Sequence, residues 1–173
     1  MKIDFKNPDS ISNIRNLQEL LQKQNPSIDE VAAAMLFAMP IFYSNRPGKL
    51  HGLLKHHSIS GTGCHNPTSE KTKKTLWNII RYEINIEDGN GSTLGIKHEY
   101  MQGGYLRAVF TTSTGHYVVS ADIFGDEEHT VIIKSASIEG SNPDSCMKEL
   151  AVFLKEPLDT LFAIVNSAST TAT

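Results

Sequence analysis

Cysteine, long apolar runs and an excess of one charge are all scarce in this sequence. Only Cys64 and Cys146 occur among 173 residues, and two thiols in a chain of this length do not form a disulfide scaffold. The longest apolar run, from Val31 to Met39, is far shorter than the roughly 20 residues that cross a bilayer. We therefore expect reduced thiols and no association with a membrane.

The charges are nearly balanced, with a formal net charge of -3 and 20% charged residues. Such a surface provides no positive field to neutralise phosphates, so general nucleic-acid binding is not expected. The N-terminus lacks the apolar segment and the small-residue cleavage site of a secretory signal. We therefore expect a cytoplasmic protein, unless it is exported by a route that needs no cleavable signal.

Apolar residues recur along the chain with two different periods. Spacings of three and four predict helices over residues 8–24, 27–39 and 143–165. Between about Thr75 and Gly140 the period is two, and regular turn signals predict five sequential antiparallel strands. The sequence thus predicts a single α+β domain over residues 1–173, in which two N-terminal helices precede a five-stranded antiparallel meander sheet. The C-terminal helical segment packs on one face of that sheet.

Two features of the C-terminal segment predict interruptions. Pro157 lies inside the apolar stripe and removes a backbone hydrogen bond, which predicts a kink or a break near Lys155. The small, polar tail over residues 167–173 is expected to fray.

Residues 44–71 show little periodicity and are predicted to form a long irregular loop. Loops of this length in compact domains are usually functional or disordered. Five side chains in the loop have the nitrogen and sulfur donors that zinc prefers, namely His51, His56, His57, Cys64 and His65. Their spacing lacks the paired ligands of known zinc sites, so we expect no metal and no cofactor. The residues best placed to contribute to a metal site would be His51, His56 and His65.

Cys64 and His116 are the sharpest candidates for a catalytic pair. A thiol nucleophile needs a neighbouring base, and that base needs a third group to orient its ring. Cys64 follows Gly-Thr-Gly and His116 opens a predicted strand, an order that resembles papain-like thiol hydrolases. The resemblance implies a nucleophile at Cys64 and a base at His116. Asp122 shares a face with His116 but lies about 20 Å along the strand from it, so the orienting acid would have to come from the next strand, as Asp126 or Glu128. The sequence departs from that family after Cys64, where His-Asn-Pro opposes a helix starting at the thiol.

The second functional interpretation is a non-catalytic protein-binding module of the adaptor, secretion-chaperone, immunity or inhibitor type. It would act through a surface of the sheet or through the N-terminal helices, of which the second is rich in Met and suited to adaptable contacts. One face of the predicted sheet is too polar to be buried, with Arg81, Glu83, Lys97, Glu99 and Asp122. We favour this interpretation, with a protein partner. A homodimer through an edge strand or the second helix is also expected.

Overall fold

Three helices and six strands are present in the computed structural model, which describes residues 2–4, 7–46, 48–65, 79–100, 104–125, 131–140 and 142–171. In chain order they are α1 (Ile11–Leu21), α2 (Ile28–Tyr43), β1 (Ser58–His65), β2 (Ile79–Glu87), β3 (Thr93–Tyr100), β4 (Gly104–Thr111), β5 (His116–Gly125), β6 (Val131–Glu139) and α3 (Pro143–Thr171). Each strand pairs with the next in an antiparallel meander. The predicted α+β architecture is confirmed.

The sheet has six strands, and the prediction of five missed β1. This strand occupies residues 58–65, inside the segment that was predicted to be an irregular loop over residues 44–71. Its sequence, SISGTGCH, has a single large aliphatic residue, Ile59, so it lacks the alternation that identifies a half-buried strand. The strand forms because β1 is hydrogen-bonded along β2, with Ile59 opposite Ile86.

Both N-terminal helices begin at side chains that cap their first turns. Ser10 accepts a hydrogen bond from the backbone N–H of Asn13 at the start of α1. Ser27 and Glu30 form a capping box at the start of α2, each accepting from the other's backbone N–H. From Val31 to Tyr43 every residue of α2 is buried, as expected for a helix that is apolar on all sides.

Pro157 does not divide the C-terminal helix, because α3 is a single helix from Pro143 to Thr171. Proline removes the N–H that would bond to the carbonyl four residues earlier, which is that of Phe153. The Nε2 atom of His57 lies 2.7 Å from this carbonyl oxygen and replaces the missing donor. Residues 167–171 of the tail expected to fray also belong to the helix.

The core lies between the helices and one face of the sheet, called here the inner face. Its largest fully buried side chains come from both layers: Tyr82, Tyr117, Phe37, Phe42, Phe110, Ile3, Ile14, Leu17, Met35, Leu36 and Met39. His98 is the one histidine among the fully buried residues described, and its ring lies edge-on to Tyr82 at 4.8 Å between centroids. Burial lowers the pKa of the His98 imidazole from 6.5 to about 4.

Both edges of the sheet carry irregular pairing. At one edge, Asp122 pairs with Ser135 and Ile123 with Ile133, so Lys134 is an extra residue in β6. At the other edge, the pairing of β1 with β2 shifts between Cys64 and His65. Bulges of this kind bend an edge strand and disturb its row of hydrogen-bonding groups. No helix in the described ranges is both long and apolar enough to cross a membrane.

Candidate functional site

The face of the sheet opposite the helices, called here the outer face, carries polar and charged side chains. Alternation along each strand sends apolar residues inward and these side chains outward. On β4, for example, Leu106, Ala108 and Phe110 are buried, whereas Tyr105 and Arg107 are exposed. The helices contact the sheet through α2 and α3, which cover the inner face. Among the described elements, none covers the outer face.

Two cations stand directly opposite each other near the middle of the outer face. Lys97 on β3 pairs in register with Arg107 on β4, and both are exposed. Residues in such positions have Cβ atoms roughly 5 Å apart, and like charges there repel. Within the described part of the chain, neither side chain makes an ion pair or a hydrogen bond. We call Lys97 and Arg107 the cation pair.

The carboxylates nearest to the cation pair bind other side chains. Glu83 stands directly opposite Lys97 on β2, Glu99 lies two residues from Lys97 along β3, and Asp122 lies diagonally from Arg107 on β5. Their hydrogen-bond partners lie beyond them in the sheet: Thr62 donates to Glu83 (3.4 Å), Arg81 to Glu99 (2.8 Å) and Ser135 to Asp122 (3.0 Å). The positive charge of the cation pair is therefore not neutralised by a direct contact with a described residue.

Shallow hollows flank the cation pair on both sides. One, of about 240 Å³, lies beside Gly95, where the sheet has no side chain. The other, of about 300 Å³, is lined by small residues that include Ser120 and Ser137. A partner side chain can therefore reach the ends of Lys97 and Arg107 from either side.

An exposed apolar cluster lies at one corner of the outer face, beside edge strand β6. Tyr105 is 39% exposed, Phe124 is 43% exposed and Ile132 is 54% exposed. Phe124 and Ile132 are directly opposite each other, and the ammonium of Lys134 lies 5.3 Å from the centre of the Phe124 ring. We call Tyr105, Phe124 and Ile132 the corner patch.

The structure does not bring Cys64 and His116 together. Cys64 lies in β1 and His116 at the start of β5, with three strands between them. Four strand spacings of about 4.8 Å separate them by roughly 19 Å across the sheet. The register also places Cys64 in line with Asp122, six residues along β5 from His116. His116 instead shares a hydrogen bond with Thr111, 2.8 Å from Nδ1, and Asp126 lies outside the described residues.

The histidines considered for a metal site are spread over different environments. His51 and His56 are exposed in the turns before β1, and His65 is the last residue of that strand. Among the residues that the structure describes, no group of three or more His, Cys, Asp or Glu side chains is arranged to hold a metal ion.

Another cleft, of about 350 Å³, lies at one end of the sheet beside the N-terminal half of α3. Its central acid, Glu149, accepts hydrogen bonds from the hydroxyls of Thr112, Thr114 and Tyr117. Burial alone would raise the pKa of Glu149, but these hydrogen bonds outweigh that effect and lower it. The carboxylate joins the β4–β5 turn to α3, which is a structural role.

Comparison with protein-family models, curated proteins and solved structures finds no match to this chain.

Proposed function

We propose that this chain is a non-catalytic protein-binding module that binds an acidic segment of a partner protein on its outer face. The observation that carries the proposal is the cation pair, two exposed charges that face each other on central strands and make no ion pair with a described residue. Opposed like charges destabilise a sheet, so a neutral residue at position 107, where Ser120 is the other cross-strand neighbour, would remove the repulsion.

A carboxylate from a partner would remove the repulsion between Lys97 and Arg107. Arginine presents a planar fork that matches a carboxylate, and lysine adds a point charge beside it. The hollows beside Gly95 and Ser120 leave room for such a side chain. Charge complementarity therefore favours a partner with Asp or Glu at the point of contact, even though the chain as a whole has a net charge of -3.

The corner patch adds the apolar part of an interface. Aromatic residues and Arg are the side chains most often found at the energetic centres of protein interfaces. Tyr105 and Arg107 lie two residues apart on β4 and point to the same side. A partner that places an acid at the cation pair and an apolar residue at Tyr105 and Phe124 would contact both features at once.

Peptide titration followed by NMR tests this proposal with a defined probe. The probe is an acetylated octapeptide of alternating Glu and Thr, and its counterpart has Gln in place of every Glu. We expect the acidic peptide to shift the amide signals of Gly95, Val109 and Ser120, and the Gln peptide to bind at least about tenfold more weakly.

The matched variants separate the site from the overall charge. Lys97→Glu/Arg107→Glu is expected to abolish the shifts. Lys148→Glu/Lys155→Glu changes the net charge equally but lies on exposed positions of α3, and it is expected to retain them. Equal loss of binding in both double variants, or equal binding of the two peptides, would contradict the proposal.

A further inference from the structure

The turn between β2 and β3 has the sequence Asp-Gly-Asn-Gly-Ser over residues 88–92. It lies at one end of the sheet, beyond the pairing of Glu87 with Thr93. Asn90 and Gly91 are both exposed, and a Cβ at Gly91 would meet nothing within 4 Å. The two residues therefore stand in open space at the tip of the hairpin.

Asp88 holds the backbone of this turn. Its Oδ1 atom accepts from the N–H groups of Asn90 (2.8 Å) and Ser92 (3.1 Å), and its own N–H donates to the Ser92 carbonyl at 3.2 Å. Gly91 lies between the two bonded N–H groups, but its N–H donates to no residue that the structure describes. Within the same ranges, the side-chain amide of Asn90 makes no hydrogen bond. Neither group is thus held in place by a described partner.

The side-chain amide of an asparagine and the backbone N–H that follows it can react with each other. Attack of the nitrogen on the side-chain carbonyl carbon closes a five-membered ring, and the step is intramolecular, which removes much of its entropic cost. A side chain on the following residue crowds the attacking nitrogen, whereas glycine has no Cβ. Asn90 followed by Gly91 therefore combines both reacting groups with the least steric obstruction.

We propose that Asn90 is a site of spontaneous deamidation, with water as the co-reactant. The Gly91 N–H gives its proton to hydroxide, and the nitrogen forms a bond to Cγ of Asn90. The bond from Cγ to Nδ2 breaks, and Nδ2 takes up a proton and leaves as ammonia, which gives a cyclic imide. Water then adds to one imide carbonyl. Opening of the bond from Cγ to nitrogen gives aspartate, and opening of the bond from the main-chain carbonyl carbon gives isoaspartate.

The other asparagines of the chain each lack one of these conditions. Four of them precede proline, which has no N–H with which to attack: Asn7, Asn25, Asn66 and Asn142. Asn78 and Asn85 precede isoleucine, whose branched side chain crowds the nitrogen. The rest are buried or lie in helices, where the next N–H is bonded within the helix: Asn13, Asn16, Asn45 and Asn166. Deamidation is therefore expected at the β2–β3 turn alone.

The two products change the turn in different ways. Aspartate adds a negative charge beside Glu87 and Asp88. Isoaspartate also inserts one carbon atom into the backbone, because the chain then continues through the side chain. The inserted atom displaces Ser92 from Asp88, and the two hydrogen bonds between these residues (3.1 and 3.2 Å) are weakened. The modified hairpin is therefore expected to open more easily at this end.

Ageing of the purified full chain in heavy-oxygen water measures the reaction. The aged protein is digested in ordinary water, and fragment masses locate the incorporated oxygen. We expect one heavy oxygen at Asn90, incorporated at least about tenfold faster than at the exposed Asn85. The rate should rise between about pH 7 and pH 9, because the attacking nitrogen must lose its proton. No labelling at Asn90, or equal labelling at Asn85, would overturn the proposal.

Two substitutions provide matched controls for the route. Asn90→Gln keeps an amide at the same exposed position but needs a six-membered ring, so labelling there should be at least about tenfold slower. Asn85→Gln makes the same change on β2 and should leave the labelling of Asn90 unaltered. Equal labelling of position 90 in the wild-type chain and in Asn90→Gln would indicate direct hydrolysis and contradict the cyclic imide.

Hydrogen exchange separates the effect of the inserted atom from the effect of the charge. Asn90→Asp introduces the charge and leaves the backbone unchanged. The amides of Asp88 and Ser92 should exchange faster in the aged wild-type chain than in freshly prepared Asn90→Asp. Equal exchange in the two samples would contradict the formation of isoaspartate in the turn. Lys97→Glu/Arg107→Glu should leave these results unchanged, so this proposal and the acidic-peptide proposal fail separately.

Discussion

The inner face of the sheet is packed against the helices, whereas the outer face carries exposed polar and charged side chains. On the inner face, Phe110, Tyr117 and Ile96 are fully buried against the helices, and their size and shape determine the packing. On the outer face, Lys97 and Arg107 are like charges directly opposite each other on neighbouring strands, which costs stability. Positions whose residue is not the most stable one for the fold are therefore better candidates for a binding site than well-packed positions are.

The largest expected difference between the faces concerns two adjacent residues of β4. Phe110→Ala should lower the free energy of unfolding by about 3–5 kcal/mol, because it leaves a cavity in the core. Phe110 is fully buried, with ring centroids 5.2 Å from Phe153 and 6.0 Å from Tyr117. Val109→Ala, on the outer face, should cost about 1 kcal/mol or less. Urea unfolding of both variants measures the difference, and similar costs would show that the outer face is also packed.

His98 makes the inner face sensitive to acid. Its pKa is about 4 in the folded protein and near 6.5 in an unfolded chain, so between these values only the unfolded state takes up the proton. Stability is therefore unaffected above about pH 7 and falls as the pH drops from 6.5 toward 4. At pH 4.5 the loss from this one group amounts to roughly 2–3 kcal/mol.

The variant His98→Leu checks this effect. The loss of stability between pH 7 and pH 4.5, measured by urea unfolding, should be smaller in the variant by roughly 2–3 kcal/mol. The comparison uses the change with pH within each protein, so a constant effect of the substitution on packing cancels. An identical loss in both proteins would show that His98 is not the group responsible.

The smallest expected effect concerns charges on the outer face. Arg107→Thr should raise the free energy of unfolding by up to about 0.5 kcal/mol at low salt, since it removes the repulsion from Lys97 and its other cross-strand neighbour is the neutral Ser120. Arg81→Thr makes the same kind of change on β2 but removes the ion pair with Glu99, so it should lower stability by a similar amount. Thermal unfolding at low salt and at about 1 M salt should show the two effects converge as screening increases. A loss of stability at low salt in the cation-pair variant would contradict the repulsion.

The periodic segments of the fold were predictable from sequence, and the aperiodic strand was not. Helices α1 and α2 carry capping signals and strong apolar patterns, and the strands β2 to β5 alternate clearly. A Cβ at Gly61 in β1 would lie 2.7 Å from the Glu83 carbonyl oxygen. The two backbones approach so closely there that this position cannot hold the β-branched or aromatic side chain by which a strand is recognised. Local patterns cannot report such a contact.

The position of the cation pair and the continuity of α3 both depend on contacts between segments distant in sequence, which the spacing of residues does not predict. Lys97 was expected on a polar face, but its position opposite Arg107 depends on strand register, which the sequence does not determine in advance. Pro157 was correctly identified as removing a hydrogen bond from the helix. The helix nevertheless does not break near Lys155, because His57, which is distant in sequence, donates to the carbonyl that Pro157 leaves without its helical donor.

The extra residue Lys134 in β6 affects how strongly the protein tends to associate with itself at high concentration. A broad sheet whose outer face is uncovered by the described elements could in principle pair edge to edge with further copies of itself. The extra residue interrupts the row of hydrogen-bonding groups along β6 and makes such pairing unfavourable. The bulge thus allows the sheet to keep a broad exposed face and still resist polymerisation into fibres.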